Sequence, residues 1–202
     1  MRLLLFTGFL GSGKTTLILA LAGRAAKSGL RVCVIVNEVG EVGIDGEVLR
    51  LGDLEVREIT AGCICCEIGV DLVRTLRELE ERLQPDLVIV EASGIASPAG
   101  ILDTLRRYPT RSVGAIETIT VVDPTRFDAL HEVLTPLIEA QIAGADRVVI
   151  TKYDEADAGE LKRARQVVRG LAPTAPVHVL DANRLETLAS LLEALVGREV
   201  RA

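Results

Sequence analysis

The chain has 202 residues, 49 % hydrophobic, 26 % charged and 2 % aromatic, with 23 basic and 29 acidic residues and a net charge of −6. This composition fits one folded domain over residues 1–202 with an aliphatic core; it excludes disorder, a base-stacking platform for single-stranded nucleic acid, and non-specific binding to a phosphate backbone. No apolar run reaches the ~18 residues of a membrane span, and the N-terminal MRLLLFTGFLGSGK has no small-residue cleavage site, so the expectation is a cytoplasmic protein with neither nucleic-acid nor membrane partners.

In chain order, LLLFT (3–7) reads as a buried strand, followed by a helix from Lys14 to Lys27 that stops at Gly29. VCVIVN (32–37) is a second strand. Residues 38–62 are irregular and Gly-rich, with a short hairpin through VLRLG and LEVREI. Further strands are expected at LVIVEA (87–92), ITVVD (119–123), RVVITK (147–152) and VHVLD (177–181). Amphipathic helices are expected at 68–83, 98–106, 125–143, 155–170 and 184–196. Continuous Val/Ile/Leu runs mark parallel strands covered on both faces. The repeated strand–helix order predicts an α/β fold: a doubly wound, mostly parallel sheet in a three-layer sandwich with right-handed crossovers.

Gly8-Phe9-Leu10-Gly11-Ser12-Gly13-Lys14-Thr15-Thr16 fits G-x-x-x-x-G-K-[ST] directly after a strand and at the start of a helix. At this composition the pattern arises by chance in roughly 0.3 % of sequences before that context is imposed. Glycines let successive backbone N–H groups curl around a phosphate, and the helix N-terminus adds its positive dipole end. Lys14 is expected to reach the β- and γ-phosphates and the Thr15 hydroxyl to ligate Mg²⁺. Gly8, Gly11, Ser12, Gly13, Lys14, Thr15 and Thr16 are thus candidates for holding a nucleoside triphosphate.

Thr151-Lys152-Tyr153-Asp154 follows the fifth apolar run, where P-loop GTPases carry N-K-x-D or its [ST]-K-x-D variant. The Asp154 carboxylate can accept from both N1–H and N2–H of guanine, donors that adenine does not present there, while the Lys152 stem packs on the base plane. The element favours GTP over ATP and weakens the reading as an ATP-using small-molecule kinase. VIVE (88–91) followed by Ala92-Ser93-Gly94 has the form of a Walker-B strand, with Glu91 as its acid and Gly94 at the γ-phosphate switch. An acid at the end of an apolar strand is costly unless it faces a polar site, and the carboxyl end of such a sheet is where phosphates and Mg²⁺ collect.

Cys33 stands alone in a strand, whereas Cys63, Cys65 and Cys66 fall within four positions. Neighbours at that spacing rarely bridge, because a disulfide wants about 5.5 Å between Cα atoms with aligned side chains. Thiolates so close together suit Zn²⁺, Cu(I) or Co²⁺. Three are one ligand short of a closed tetrahedral site, which fits delivery of an ion better than structural stapling; an acidic residue, a water or a partner's group completes it. A redox dithiol is the rival reading, and three small buried hydrophobes the plain one. VNEVGEVGIDGEVL (36–49) carries Glu38, Glu41, Asp45 and Glu47 where P-loop GTPases sense the γ-phosphate. Its carboxylates can ligate Mg²⁺, orient water, complete the thiolate site, or form a solvated acidic loop.

GFLGSGKTT, VNEVGEVGIDGE, GCICC, VIVEASG and TKYD, in this order, resemble the CobW family of P-loop GTPases over roughly residues 3–181. The wider group includes HypB, UreG and MeaB. The resemblance implies a SIMIBI-type GTPase that hydrolyses GTP to GDP slowly with Mg²⁺, under metal or partner control. It implies a metallochaperone that passes Zn²⁺, Co²⁺ or Ni²⁺ to a client metalloprotein or cobalamin-dependent enzyme. By position it makes Lys14, Asp45 and Glu91 catalytic, with Asp45 acting on Mg²⁺ or water. Cys63, Cys65 and Cys66 match the CxCC metal motif, Glu38 falls at an acidic candidate ligand and Glu41 is near enough to compete. Gly94 takes the γ-phosphate turn, and Thr151, Lys152 and Asp154 read guanine. Many members continue into a C-terminal CobW domain and carry His-rich tracts. This sequence reads as the GTPase domain alone, its His131 and His178 scattered, with His178 a candidate neighbour of the guanine. A partner or a nucleotide-dependent homodimer is then expected to supply the client surface.

Two functions follow from these residues. In one, Mg·GTP orders residues 38–47 and 92–98 and gathers the thiolates around an ion that hydrolysis releases. In the other, the GTP form is a regulatory module that docks on a partner while the thiols sense redox state.

Overall fold

Aliphatic runs form the strands of the computed structural model, which describes residues 1–36, 49–51, 54–58, 67–107, 113–180 and 185–196. The elements are β1 (Arg2–Thr7), α1 (Lys14–Lys27), β2 (Val32–Val36), β3 (Leu49–Leu51), β4 (Leu54–Glu58), α2 (Glu67–Arg82) and β5 (Leu87–Glu91). They continue with α3 (Pro98–Arg107), β6 (Ala115–Val122), α4 (Pro124–Ala143), β7 (Arg147–Ile150), α5 (Ala158–Leu171), β8 (Val177–Val179) and α6 (Leu185–Val196). The strands form one eight-stranded sheet in the order β3-β4-β2-β5-β1-β6-β7-β8. β3 pairs antiparallel with β4, and the other pairings are parallel.

Alternate residues along each strand separate the two helical layers. Leu4 and Phe6 of β1 pack with Leu17, Ile18 and Leu21 of α1 and with Leu188, Leu191 and Leu195 of α6. Leu3 and Leu5 face the other way, against Leu72, Leu76 and Leu79 of α2 and Leu105 of α3. Val148 and Ile150 of β7 continue that second face, with Phe127, Ile138 and Ile142 of α4 and Ala164 and Val168 of α5. The three-layer, mostly parallel architecture read from the sequence is the one observed. The possible hairpin is β3–β4, attached to the sheet by the parallel pairing of β4 with β2.

Several boundaries differ, three of them for a local reason. β6 begins at Ala115 rather than 119, because Glu117 interrupts the apolar run yet stays in the sheet by pairing with Arg2 and Arg147. β7 stops at Ile150 because Lys152 turns the chain with φ 48°. α5 starts at Ala158 rather than 155, because Asp157 and Glu160 form a reciprocal capping box. α4 is also broken: Leu134 has φ −123° and ψ 30°, two residues before Pro136, which has no N–H to continue the ladder.

Candidate functional site

β1 lies at the centre of the sheet, with β5 on one side and β6 on the other, so the loops after these strands open at one edge where the winding changes direction. The loop from Gly8 to Gly13 joins β1 to α1. Gly8 has φ 128°, and a Cβ there would lie 2.3 Å from the Val121 carbonyl oxygen of β6. That strand leaves no room for a side chain. Gly13, at φ 86°, turns the chain into the first turn of α1. The helix N-terminus is thereby aimed into the loop.

Lys14 is 5 % exposed, and its Nζ donates to the Phe9 carbonyl across the loop at 3.0 Å. Burial lowers its pKa, and the nearby Glu91 charge acts in the opposite direction. The Thr15 hydroxyl contacts both oxygens of the buried Glu91 carboxylate, at 2.9 and 3.0 Å. β1 and β5 are neighbours in register, with Phe6 opposite Glu91, so the sheet itself brings the loop and the acid together. A hydroxyl and a carboxylate are hard oxygen donors, the set that suits Mg²⁺. The buried ammonium and the inward-turned helix end suit an anion beside it. Ser12 is buried in the loop and Thr16 is exposed one residue beyond Thr15. Gly94 presses on the loop from the β5 side: a Cβ on it would lie 2.7 Å from the Leu10 amide nitrogen.

The Thr151–Asp154 segment, the candidate guanine reader, is braced against the same loop. The Thr151 hydroxyl donates to the Ser12 carbonyl at 2.7 Å, and Lys152 Nζ donates to the Gly11 carbonyl at 2.8 Å and to Asp123 Oδ2 at 2.8 Å. Asp154 is exposed at the turn. The phosphate-holding and base-reading candidates are therefore one connected unit.

Asp123 was not among the candidates. It follows β6 as the N-cap of α4, accepts from the Thr125 backbone N–H and hydroxyl at 3.0 and 2.7 Å, and fixes Lys152 with its other oxygen. The Asp-Pro-Thr order, an N-cap followed by Pro at the first helical position, was the available signal. Gln141 on α4 was also missed, and no motif marks it. It is 2 % exposed and binds the carbonyls of Gly94 and Ala96.

His178 is not placed as a guanine neighbour: its Nε2 lies 2.9 Å from Arg147 Nη1 on the face covered by α6. His131 stacks on Phe127 and meets Glu139 at 3.1 Å. Glu38, Glu41, Asp45, Cys63, Cys65 and Cys66 lie outside the described residues. Among the described residues no group of three or more His, Cys, Asp or Glu could hold a metal, and no helix is long and apolar enough to cross a membrane. Cys33 is buried in β2.

Residues 2–179 match the family model described as CobW/HypB/UreG, nucleotide-binding domain. The chain is 34 % identical to the zinc chaperone CobW of a Sinorhizobium species, over 96 % of this chain and 62 % of that protein. It is 36 % identical to the zinc chaperone CobW of Pseudomonas aeruginosa, over 89 % of this chain and 56 % of that protein. The crystal structure of the Zn(II)-bound YjiA GTPase from E. coli superposes with a TM-score of 0.68 at 27 % identity, covering 93 % of this chain and 60 % of that one. The chain thus spans about three-fifths of the length of the relatives it matches.

Proposed function

The chain belongs to the CobW/HypB/UreG nucleotide-binding family, and from that premise we propose that it is a GTP-hydrolysing metallochaperone domain whose metal site answers to the bound nucleotide. The observation that carries the proposal is the Thr15–Glu91 pair beside the buried Lys14, joined through Thr151 and Lys152 to the guanine-reading turn. The reading treats residues 1–202 as one nucleotide-switch unit.

In this reading the backbone N–H groups from Gly8 to Thr16 receive the phosphates, and Lys14 exchanges the Phe9 carbonyl for phosphate oxygens. Asp154 accepts from the guanine edge, while Lys152, held by Asp123 and Gly11, lies along the base. Thr15 and Glu91 hold Mg²⁺, whose charge offsets that of the phosphate oxygens when it is bound. Asp45 is assigned to orient the attacking water. Cys63, Cys65 and Cys66, with Glu38 or Glu41, take Zn²⁺, Co²⁺ or Ni²⁺ as cargo for a client metalloprotein or a cobalamin-dependent enzyme. Zinc is favoured by the chain's likeness to zinc chaperones. A partner or a second copy bound across the nucleotide edge supplies the client surface.

Titration of Zn²⁺, Co²⁺ and Ni²⁺ into protein held with GDP or a non-hydrolysable GTP analogue, followed by thiolate-to-metal absorption, tests the coupling. Higher affinity with the analogue, abolished by Cys65→Ala or Cys66→Ala, is expected. Equal affinities in the two nucleotide states overturn it, and thiols that bind no metal but oxidise reversibly favour the redox module instead.

A further inference from the structure

The turn after β5 is gripped by a side chain that belongs to no motif. Gln141, near the end of α4, is 2 % exposed, and its Nε2 donates to the Gly94 carbonyl at 3.1 Å and to the Ala96 carbonyl at 3.3 Å. Only an NH₂ group can face two carbonyls, so the amide has one workable orientation. The turn is also closed on itself by the Ala96 N–H donating to the Ser93 carbonyl at 2.9 Å. On its far side Gly94 lies against Leu10 of the phosphate loop, close enough that no side chain fits between. The turn is clamped between Gln141 and the loop.

Gln141 is itself fixed from the start of that loop. Its backbone carbonyl accepts from the Thr120 hydroxyl at 2.7 Å. Having donated its proton there, Thr120 Oγ1 accepts from Thr7 Oγ1 at 2.9 Å. Thr7, Thr120 and Gln141 are all buried, and Thr7 immediately precedes Gly8. A continuous buried chain of hydrogen bonds thus runs from the root of the phosphate loop, through β6 and α4, to the turn at Gly94. The break at Leu134 lets the two ends of α4 serve different elements. The first end carries Asp123 and faces Lys152, and the second carries Gln141 and faces Gly94.

We propose that Gln141 is the positioning residue for γ-phosphate recognition: it sets Gly94 against the phosphate loop without itself touching the nucleotide. The inference rests on the GTPase reading above. Groups assigned to the base and the first two phosphates come from residues 8–16 and 151–154, none of which the Gln141 amide contacts. Removing that amide takes the donor from two carbonyls of a half-buried turn, which the turn relieves by moving toward water. The third phosphate is then the part of the ligand that loses its partner.

The test is calorimetric titration of the whole chain with GDP and with a non-hydrolysable GTP analogue, together with single-turnover hydrolysis, for wild type, Gln141→Leu and Gln141→Glu. Gln141→Leu is expected to weaken analogue binding about tenfold, slow hydrolysis by a similar factor and leave GDP affinity within about twofold. Gln141→Glu, which sets a carboxylate against two carbonyls, does at least as much. If Gln141→Leu does not fold, Thr120→Val removes the hydroxyl that holds the Gln141 backbone and shifts the same ratio about threefold. A parallel loss of both nucleotides, or no change in their ratio, overturns the inference and leaves the GTPase reading intact. A wild-type chain that binds neither nucleotide overturns both.

Discussion

The two ends of the strands handle charge in opposite ways. At the carboxyl ends, Lys14 and Lys152 lean on backbone carbonyls of the phosphate loop, Lys152 also pairs with Asp123, and the Glu91 carboxylate meets a threonine hydroxyl. At the amino ends of the same sheet, Glu117 binds Arg2 with one oxygen and Arg147 with the other, each at 2.9 Å. Arg147 continues to His178 Nε2 at 2.9 Å and reaches toward the Ala194 carbonyl of α6. One carboxylate is shared between two guanidiniums in that network, which ties β1, β6, β7, β8 and α6 together. The carboxyl-end groups are instead arranged so that a charged ligand can replace their backbone partners. Charge bound to charge reads as a brace, and Lys14 and Glu91, held by a backbone carbonyl and a threonine hydroxyl, read as a receptor.

The largest way to break this contrast is Glu117→Ala. Glu117 and Arg147 side chains are only 13 % and 14 % exposed, so removing the anion strands a buried guanidinium. A loss of about 3–5 kcal/mol in unfolding free energy is expected from denaturant titration, with GDP affinity of the folded protein unchanged. A change in affinity matching the lost stability would show that the two ends are one system.

Lys14→Met makes the reverse experiment at the other end. Methionine keeps the buried stem and removes an ammonium that burial already disfavours. Triphosphate affinity should fall about 10- to 100-fold, the size of a lost charged hydrogen bond, while the unfolding midpoint holds or rises. A fluorescent-nucleotide titration beside a thermal melt reads both. A variant that melts lower and binds as before would place Lys14 with the structural charges.

The same contrast explains what the sequence disclosed. The phosphate loop, Glu91, Gly94 and Thr151–Asp154 are contiguous signatures at strand ends, because a ligand imposes fixed residue types at fixed spacing. Six strands were legible from their apolar runs, and β3–β4 as a hairpin. The brace was hidden: Arg2, Glu117, Arg147 and His178 come from four strands, and only the parallel register brings them together. Glu117 therefore looked like the end of an apolar run, and His178 like a candidate base contact. Gln141 escaped for a related reason. A lone glutamine on an otherwise apolar helix face has no local pattern, and its partners lie 47 and 45 residues away. Asp123 could have been found from its Asp-Pro-Thr cap, although its hold on Lys152 could not. The thiolates of Cys63, Cys65 and Cys66, with Glu38 and Asp45, rest on the sequence alone.

His178 gives the smallest effect and the sharpest check on the brace. Arg147 donates to Nε2, so the imidazole is held neutral with its proton on Nδ1. Burial, and then the Arg147 charge, push its pKa below the ordinary 6.5, while Glu117 pulls weakly the other way. The native histidine therefore binds fewer protons than the unfolded one once the pH falls below 6.5. Its contribution to stability is complete above that value, declines as acid protonates the unfolded chain, and levels off below the lowered native pKa. His178→Gln keeps an acceptor for Arg147 and has no proton to take up. Unfolding midpoints followed from neutral pH down to about 5 should fall more steeply for the wild type than for His178→Gln. Identical slopes would mean that His178 takes up its proton equally in the folded and unfolded chain, and that the amino-end network is held together by Glu117 alone.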